Sequence, residues 1–209
     1  HQARVDIAAV AIGAEPVLGG GRGVAQSRKL LLVVIARDPG GGERHGNNLY
    51  SSSLVCLGAK TGERVWHYQL IHHDIWDWDN PTAPILMDLV VDGRPIKAVA
   101  QLTKQAFVYT FNRVTGEPVW PIEERPVPQT DVPGEWTSPT QPFPTKPPPY
   151  DRQGVSIDDL IDFTPALRAE AIEGSKAFRI GPIFTPPSLA NAADGTSGTL
   201  TLPNARRGA

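Results

Sequence analysis

Apolar residues along the chain come in short runs, and the runs form two series. The first holds the seven-residue stretch Leu30 to Ala36, then Ser53 to Leu57 and Arg64 to Gln69. A glycine-rich loop from Asp38 to Asn48 and a tight Lys60-Thr61-Gly62-Glu63 turn separate them. The second holds Pro84 to Val91, Ile96 to Leu102, Ala106 to Asn112 and Glu117 to Pro121. Runs of this length bounded by Gly, Asn, Asp and Pro predict strands rather than helices. Val91-Asp92-Gly93-Arg94 predicts a two-residue hairpin, because glycine takes positive φ without a Cβ clash. Strands joined in this way make an antiparallel meander. Leu30 to Ala36 reads as a buried strand and is far short of the roughly 20 apolar residues of a membrane-spanning helix. Residues 1–29 are rich in Gly and Ala, with Gly19-Gly20-Gly21-Arg22-Gly23 in their midst, and predict one weak strand at most.

Beyond the second series the pattern breaks. Between Pro118 and Pro149 lie Pro139, Pro142, Pro144 and Pro147-Pro148-Pro149, which predict a surface excursion rather than sheet, since proline cannot donate to a ladder. Thr164 as N-cap, Pro165 at the first helical position and Gly174 after the last turn predict a short helix. Phe184 to Pro187 and Gly198 to Leu202 return to short extended segments, and Asn204 to Ala209 are expected to fray.

The two series repeat one another. Thr61-Gly62-Glu63-Arg64-Val65-Trp66 and Thr115-Gly116-Glu117-Pro118-Val119-Trp120 share the pattern T-G-E-x-V-W, with tryptophans 54 positions apart (120 minus 66). Common propeller blades repeat at about 40 to 50 residues. The loop His72-His73-Asp74-Ile75-Trp76-Asp77-Trp78-Asp79 accounts for the excess.

A formal charge of −2 on 209 residues offers no basic surface for nucleic acid or anionic membrane. Small neutral or weakly charged partners remain. Cys56 is the single cysteine, which excludes an intrachain disulfide and a cysteine-rich zinc module. The opening His1-Gln2-Ala3-Arg4 is not a signal peptide and reads as an arbitrary start, so a piece of a longer protein is expected.

HHDIWDWD is the densest chemistry in the chain, and three readings are open: a metal site, a proton-transfer site or a decorated turn. Adjacent His72 and His73 point to opposite sides of extended backbone and are poorly placed to share one ion. Asp74 and Asp79 read as turn formers or hydrogen-bond anchors, because aspartates bond nearby backbone amides in loops. Trp76 and Trp78 read as packing between blades, and Asp77 remains the candidate for chemistry.

Six ordered blocks carry a family resemblance: the T-G-E-x-V-W pair, HHDIWDWDNPTAP, Thr103-Lys104-Gln105, Pro126-Val127-Pro128-Gln129, Ser138 to Pro144 and Ile183 to Pro187. From about Glu43 to Leu202 the chain resembles pyrroloquinoline-quinone-dependent dehydrogenases, especially the membrane-type glucose dehydrogenase branch. The resemblance implies an all-β fold, a partial eight-bladed β-propeller of about two to three four-stranded antiparallel blades locked by Trp66 and Trp120. The implied division is 1–29 irregular or partial blade, 30–70 blade, 71–121 blade with the active-site loop, 122–182 Pro-rich and helical insertion, and 183–209 start of the next blade. Where the family has Ala and Asp before each turn, Cys56 and Gly58 stand in the first copy and Thr110 and Asn112 in the second, so weaker docking is expected, mostly in the first.

By the same resemblance, Asp77 is the catalytic base and a ligand of a calcium or magnesium ion, taking the hydroxyl proton while hydride moves to C5 of pyrroloquinoline quinone. Lys104, 27 positions later, is the cofactor-binding lysine that polarises a quinone oxygen. The implied partners are a sugar, polyol or alcohol substrate, a quinone electron acceptor, and the rest of the propeller or another chain covering the open blades. The implied place is the periplasm, with membrane association through a part outside this chain. Two departures stand against it. The family's upstream cofactor residues are not in this chain, and Val34 to Gly42 replaces an aromatic-rich strand and its polar Thr-Gly-Asn or Thr-Pro-Asp stretch. Competing readings are a non-catalytic propeller-repeat scaffold and a carbohydrate-binding surface of Trp76, Trp78 and Trp136.

Overall fold

The computed structural model describes the backbone of residues 5–15, 27–36, 44 and 46–201, and the side chains of 44 and 46–201. A four-stranded antiparallel sheet runs in the order β1 (Val5–Glu15), β2 (Ser27–Ala36), β3 (Ser53–Gly58), β4 (Arg64–Gln69). A second sheet holds β5 (Ile85–Val91), β6 (Arg94–Leu102) and β7 (Val108–Asn112). Both are meanders of neighbouring strands, as blades of a partial propeller are. The β5–β6 turn closes on Val91 opposite Arg94, with Asp92 at φ 49° and Gly93 at φ 76°. Positive φ at both central residues matches the twist of the flanking strands.

The T-G-E turns are superimposable in their bonding. Gly62 N donates to Gly58 O at 2.7 Å and Gly58 N to Glu63 O at 2.8 Å; Gly116 N donates to Asn112 O and Asn112 N to Glu117 O, both at 2.8 Å. The copies differ where the sequence does. Asn112 Oδ1 accepts from Val114 N at 2.9 Å, a bond that Gly58 has no side chain to make. Trp66 crosses from the first sheet to the second, donating from Nε1 to Arg113 O at 3.1 Å. Around it Leu54, Cys56, Leu70 and Ile71 meet Val99, Phe107, Tyr109 and Phe111, so the core lies between the two sheets and continues under Ile183 and Phe184.

Several expectations are corrected. The one strand expected near the start forms but is long: β1 runs eleven residues, because the apolar β2 offers it a ladder with one register shift between Ile7 and Ala9, and β2 itself begins at Ser27 rather than Leu30. Glu117 to Pro121 is not a full strand. It makes one bridge, Phe111 to Pro118, and Val119 N donates to Thr110 O at 2.8 Å, because Pro118 and Pro121 supply no donor to extend it. The Pro-rich stretch does contain sheet: β8 (Ile122–Pro126) pairs with β9 (Thr140–Pro144), setting Pro142 opposite Glu124. A two-stranded ribbon has a single ladder, so prolines are tolerated on it as on any edge.

The helix α1 (Pro165–Ser175) starts as its caps predict, with Thr164 Oγ1 accepting from Leu167 N at 3.2 Å. Gly174 lies inside α1 rather than after it; Ala177 N to Gly174 O and Phe178 N to Ser175 O close the end without a left-handed glycine. Gly198 to Thr201 forms one parallel bridge, Arg179 to Thr199. Leu202, the fraying expected of Asn204 to Ala209, the Gly19 to Gly23 stretch and positions 37–43 lie outside the described residues.

The 183–201 return is tied down by Arg179, which donates to both oxygens of Asp131 at 2.8 and 2.6 Å and to Asp194 at 2.9 and 3.0 Å. The Thr196 hydroxyl and backbone N–H, then Arg179, pull the Asp194 carboxyl down to about 2, and the Arg179 bond lowers Asp131. A carboxyl depressed by folding adds stability above its unfolded value of about 4, and that stability disappears as pH falls through the folded value. Wild type is therefore expected to melt above an Asp194→Asn variant at about pH 5, with the gap closing by about pH 2. Thermal melts across that range check it.

Candidate functional site

The HHDIWDWD loop leaves β4 and reaches β5, and its shape comes from its own side chains. Asp74 Oδ1 accepts from Trp76 N at 2.9 Å, and burial pushes its carboxyl up against the opposing pull of the Trp76 and Trp78 amides and of Arg44. Arg44 also donates to Asp74 O at 2.6 Å. Asp74 is thus the loop's anchor, as the turn chemistry of aspartate predicts.

The two histidines face different partners. His73 is fully buried, with Nδ1 2.7 Å from Gly46 O and its ring edge-on to Trp136 at 4.6 Å. His72 Nδ1 lies 2.9 Å from Gln69 Oε1 and Nε2 3.0 Å from Glu124 Oε1. Its backbone is clamped by Gln141, which accepts from His72 N at 2.9 Å and donates to His72 O at 2.7 Å. Both imidazoles hold the loop to the ribbon and to residues 46–52.

Trp76 donates from Nε1 to Thr185 O at 3.0 Å and meets Phe184 edge-on at 5.2 Å, so it packs on the first residues of the 183–201 segment. Trp78 is 4% exposed within the core, which removes it from any sugar-stacking surface with Trp76 and Trp136. Both indoles turn inward because Asp77 between them sits at φ 65°, a left-handed conformation uncommon outside glycine. The same kink presents the Asp77 carboxylate outward, its side chain 51% exposed.

Lys104 comes from the β6–β7 turn. Ala106 at φ 63° closes that turn with its N–H on Thr103 O at 3.1 Å. Residues 150–153 strap it from outside: Tyr150 OH donates to Thr103 O at 2.5 Å, Tyr150 N to Ala106 O at 3.0 Å and Gln153 Nε2 to Gln105 O at 2.7 Å. Lys104 Nζ donates to Asp77 O at 2.9 Å and lies 3.7 Å from Asp77 Oδ2. It is also ion-paired and hydrogen-bonded to Asp79 Oδ1. Asp77 and Lys104, 27 positions apart, therefore stand together.

Asp79 is a hydrogen-bond anchor, one of the two roles expected of it, but its partner is the Lys104 ammonium rather than a nearby backbone amide. Beside the pair, Asn80 and Gln105 are fully buried, and their carboxamide atoms have no partner among the described residues. Both lie in the HHDIWDWDNPTAP and Thr103-Lys104-Gln105 blocks, though neither drew a role of its own; a carboxylate two positions after Asp77 was the signal for Asp79.

Residues 34–209 match the family described as PQQ: Glucose/ethanol/alcohol dehydrogenase, beta-propeller domain. The chain belongs to this family. Among its relatives, the quinoprotein glucose dehydrogenase of Escherichia coli (strain K12) is 34% identical over 171 residues, covering 78% of this chain and 20% of that protein. The glycerol dehydrogenase large subunit of Gluconobacter oxydans (strain 621H) is 37% identical over 145 residues, 68% of this chain and 19% of that one. The solved quinohemoprotein alcohol dehydrogenase of Pseudomonas putida HK5 is 34% identical with a TM-score of 0.42, over 48% of this chain and 16% of that one. The chain spans about a fifth of the length of the curated relatives it matches. Quinoprotein oxidoreductases thus surround it, with named substrates that differ from one to the next, and the partial β-propeller is the family's fold.

Proposed function

We propose that these residues form part of the catalytic centre of a quinoprotein oxidoreductase that oxidises a sugar, polyol or alcohol. The observation that carries the reading is the half-exposed Asp77 carboxylate 3.7 Å from the Lys104 ammonium, in a chain of this family.

The donor set fits one end of pyrroloquinoline quinone. Lys104, its side chain 14% exposed and its charge balanced by Asp79, is a held cation suited to a carbonyl oxygen that gains negative charge. Asp77, turned outward, is the group that accepts the substrate's hydroxyl proton. When bound, the quinone supplies the two-electron acceptor for the hydride lost by the substrate carbon.

A calcium or magnesium ion is less completely provided for. No group of three or more His, Cys, Asp or Glu able to hold a metal occurs among the described residues. Lys104 already lies against both Asp77 and Asp79. Asp77 is the ligand proposed among the described residues. The periplasm is the compartment proposed on the family resemblance. No helix among the described residues is long and apolar enough to cross a membrane.

The test is to express the protein at its natural length, titrate it with pyrroloquinoline quinone and either divalent ion, and assay dye reduction with glucose, glycerol and short alcohols. Saturable quinone uptake with substrate-dependent dye reduction is expected. No uptake at micromolar quinone overturns the enzyme reading in favour of a non-catalytic propeller scaffold.

A further inference from the structure

Lys104 sits between two carboxylates that it treats differently. Its ammonium is directly bonded to Asp79, and the two side chains are nearly equally buried, at 14% and 15% exposure. From Asp77 it takes the backbone carbonyl at 2.9 Å and leaves the carboxylate at 3.7 Å, beyond hydrogen-bond length. Neither flanking carboxamide, Asn80 or Gln105, is bonded to it, since both lack any partner among the described residues. Asp79 is therefore the carboxylate that bonds Lys104 directly, and with the Asp77 carbonyl it fixes where the ammonium stands.

We infer that Asp79 is a positioning residue: by its direct hydrogen bond it holds the Lys104 ammonium in place, so that Lys104 and the Asp77 carboxylate stay at the looser 3.7 Å ion-pair distance. The inference rests on the proposed roles of Asp77 and Lys104. Without Asp79, the nearest carboxylate is that of Asp77, and a lysine with a flexible four-carbon stem closes a gap of this size readily. The loose Asp77–Lys104 ion pair would then tighten into a direct hydrogen bond and move the ammonium from its place.

A double-mutant cycle on the full-length protein, read as quinone affinity by absorbance titration and as kcat and KM by dye reduction, tests this. Lys104→Ala is expected to weaken quinone binding about tenfold, and Asp79→Asn by a similar factor, as for members of one salt-bridge network. The double variant is expected to be no weaker than the worse single one, and Asp79→Glu to recover most of the kcat lost in Asp79→Asn while KM for the substrate barely moves. Losses that multiply in the double variant would assign Asp79 a merely structural role, as would a failure of Asp79→Glu to rescue a folded protein. Unchanged quinone affinity in Asp79→Asn overturns the inference alone. If Lys104→Ala also binds quinone normally, the proposed function falls with it.

Discussion

Asp77→Asn is expected to lower kcat by about a hundred- to ten-thousandfold, the usual contribution of a positioned general base, while leaving quinone affinity close to that of wild type. The substitution is unusually clean at this position. Asp77 sits at φ 65°, a conformation that asparagine tolerates better than other non-glycine residues, so the kink that turns Trp76 and Trp78 inward is kept. The bond from Lys104 Nζ is to the backbone carbonyl of residue 77 and does not depend on the side chain. What disappears is a carboxylate able to accept a proton. Asp77→Ala would combine that loss with backbone strain, which makes it the poorer test. Steady-state dye reduction beside a quinone titration separates the two effects. A full-rate Asp77→Asn variant would remove Asp77 from the role of base.

Local chemistry in this chain was legible, and chemistry that depends on distant partners was legible only through resemblance. Asp92-Gly93 specifies its hairpin within two residues, and the T-G-E turns declare themselves because the same bonds recur 54 positions apart. Asp74 obeys the short-range rule for aspartates in loops. Asp79 obeys the same rule on paper, but its partner lies 25 positions away across the β5–β6 hairpin, and nothing in its neighbours signals Lys104. The pairing of Asp77 with Lys104 has the same origin: it exists because β6 returns alongside β5 and Gln101 Nε2 holds the loop through Thr82 O at 3.1 Å. The β8–β9 ribbon was misread because proline content alone does not say how many ladders a strand must serve.

The contact between the two sheets offers the sharpest test of the fold, because the repeat contains its own control. Gly62→Ala and Gly116→Ala are the same change at equivalent turn positions, with φ of 72° and 81°. A Cβ at Gly62 meets nothing within 4 Å, so that variant is expected to cost about 1 kcal/mol of backbone strain. A Cβ at Gly116 would stand 2.6 Å from Trp66 Cγ, 2.7 Å from Cδ2 and 2.8 Å from Cβ. Trp66 cannot yield easily: it is buried, bonded through Nε1 to Arg113 O and 6.1 Å from the Phe111 ring. Overpacking a filled contact costs about 1–3 kcal/mol on its own, so Gly116→Ala is expected to lose roughly 3 kcal/mol in all. Urea midpoints for both variants, followed by tryptophan fluorescence, measure the difference. Because the backbone term is shared, the excess at Gly116 isolates the docking of Trp66; equal losses in the two variants would mean that the indole moves aside without cost and does not lock the sheets together.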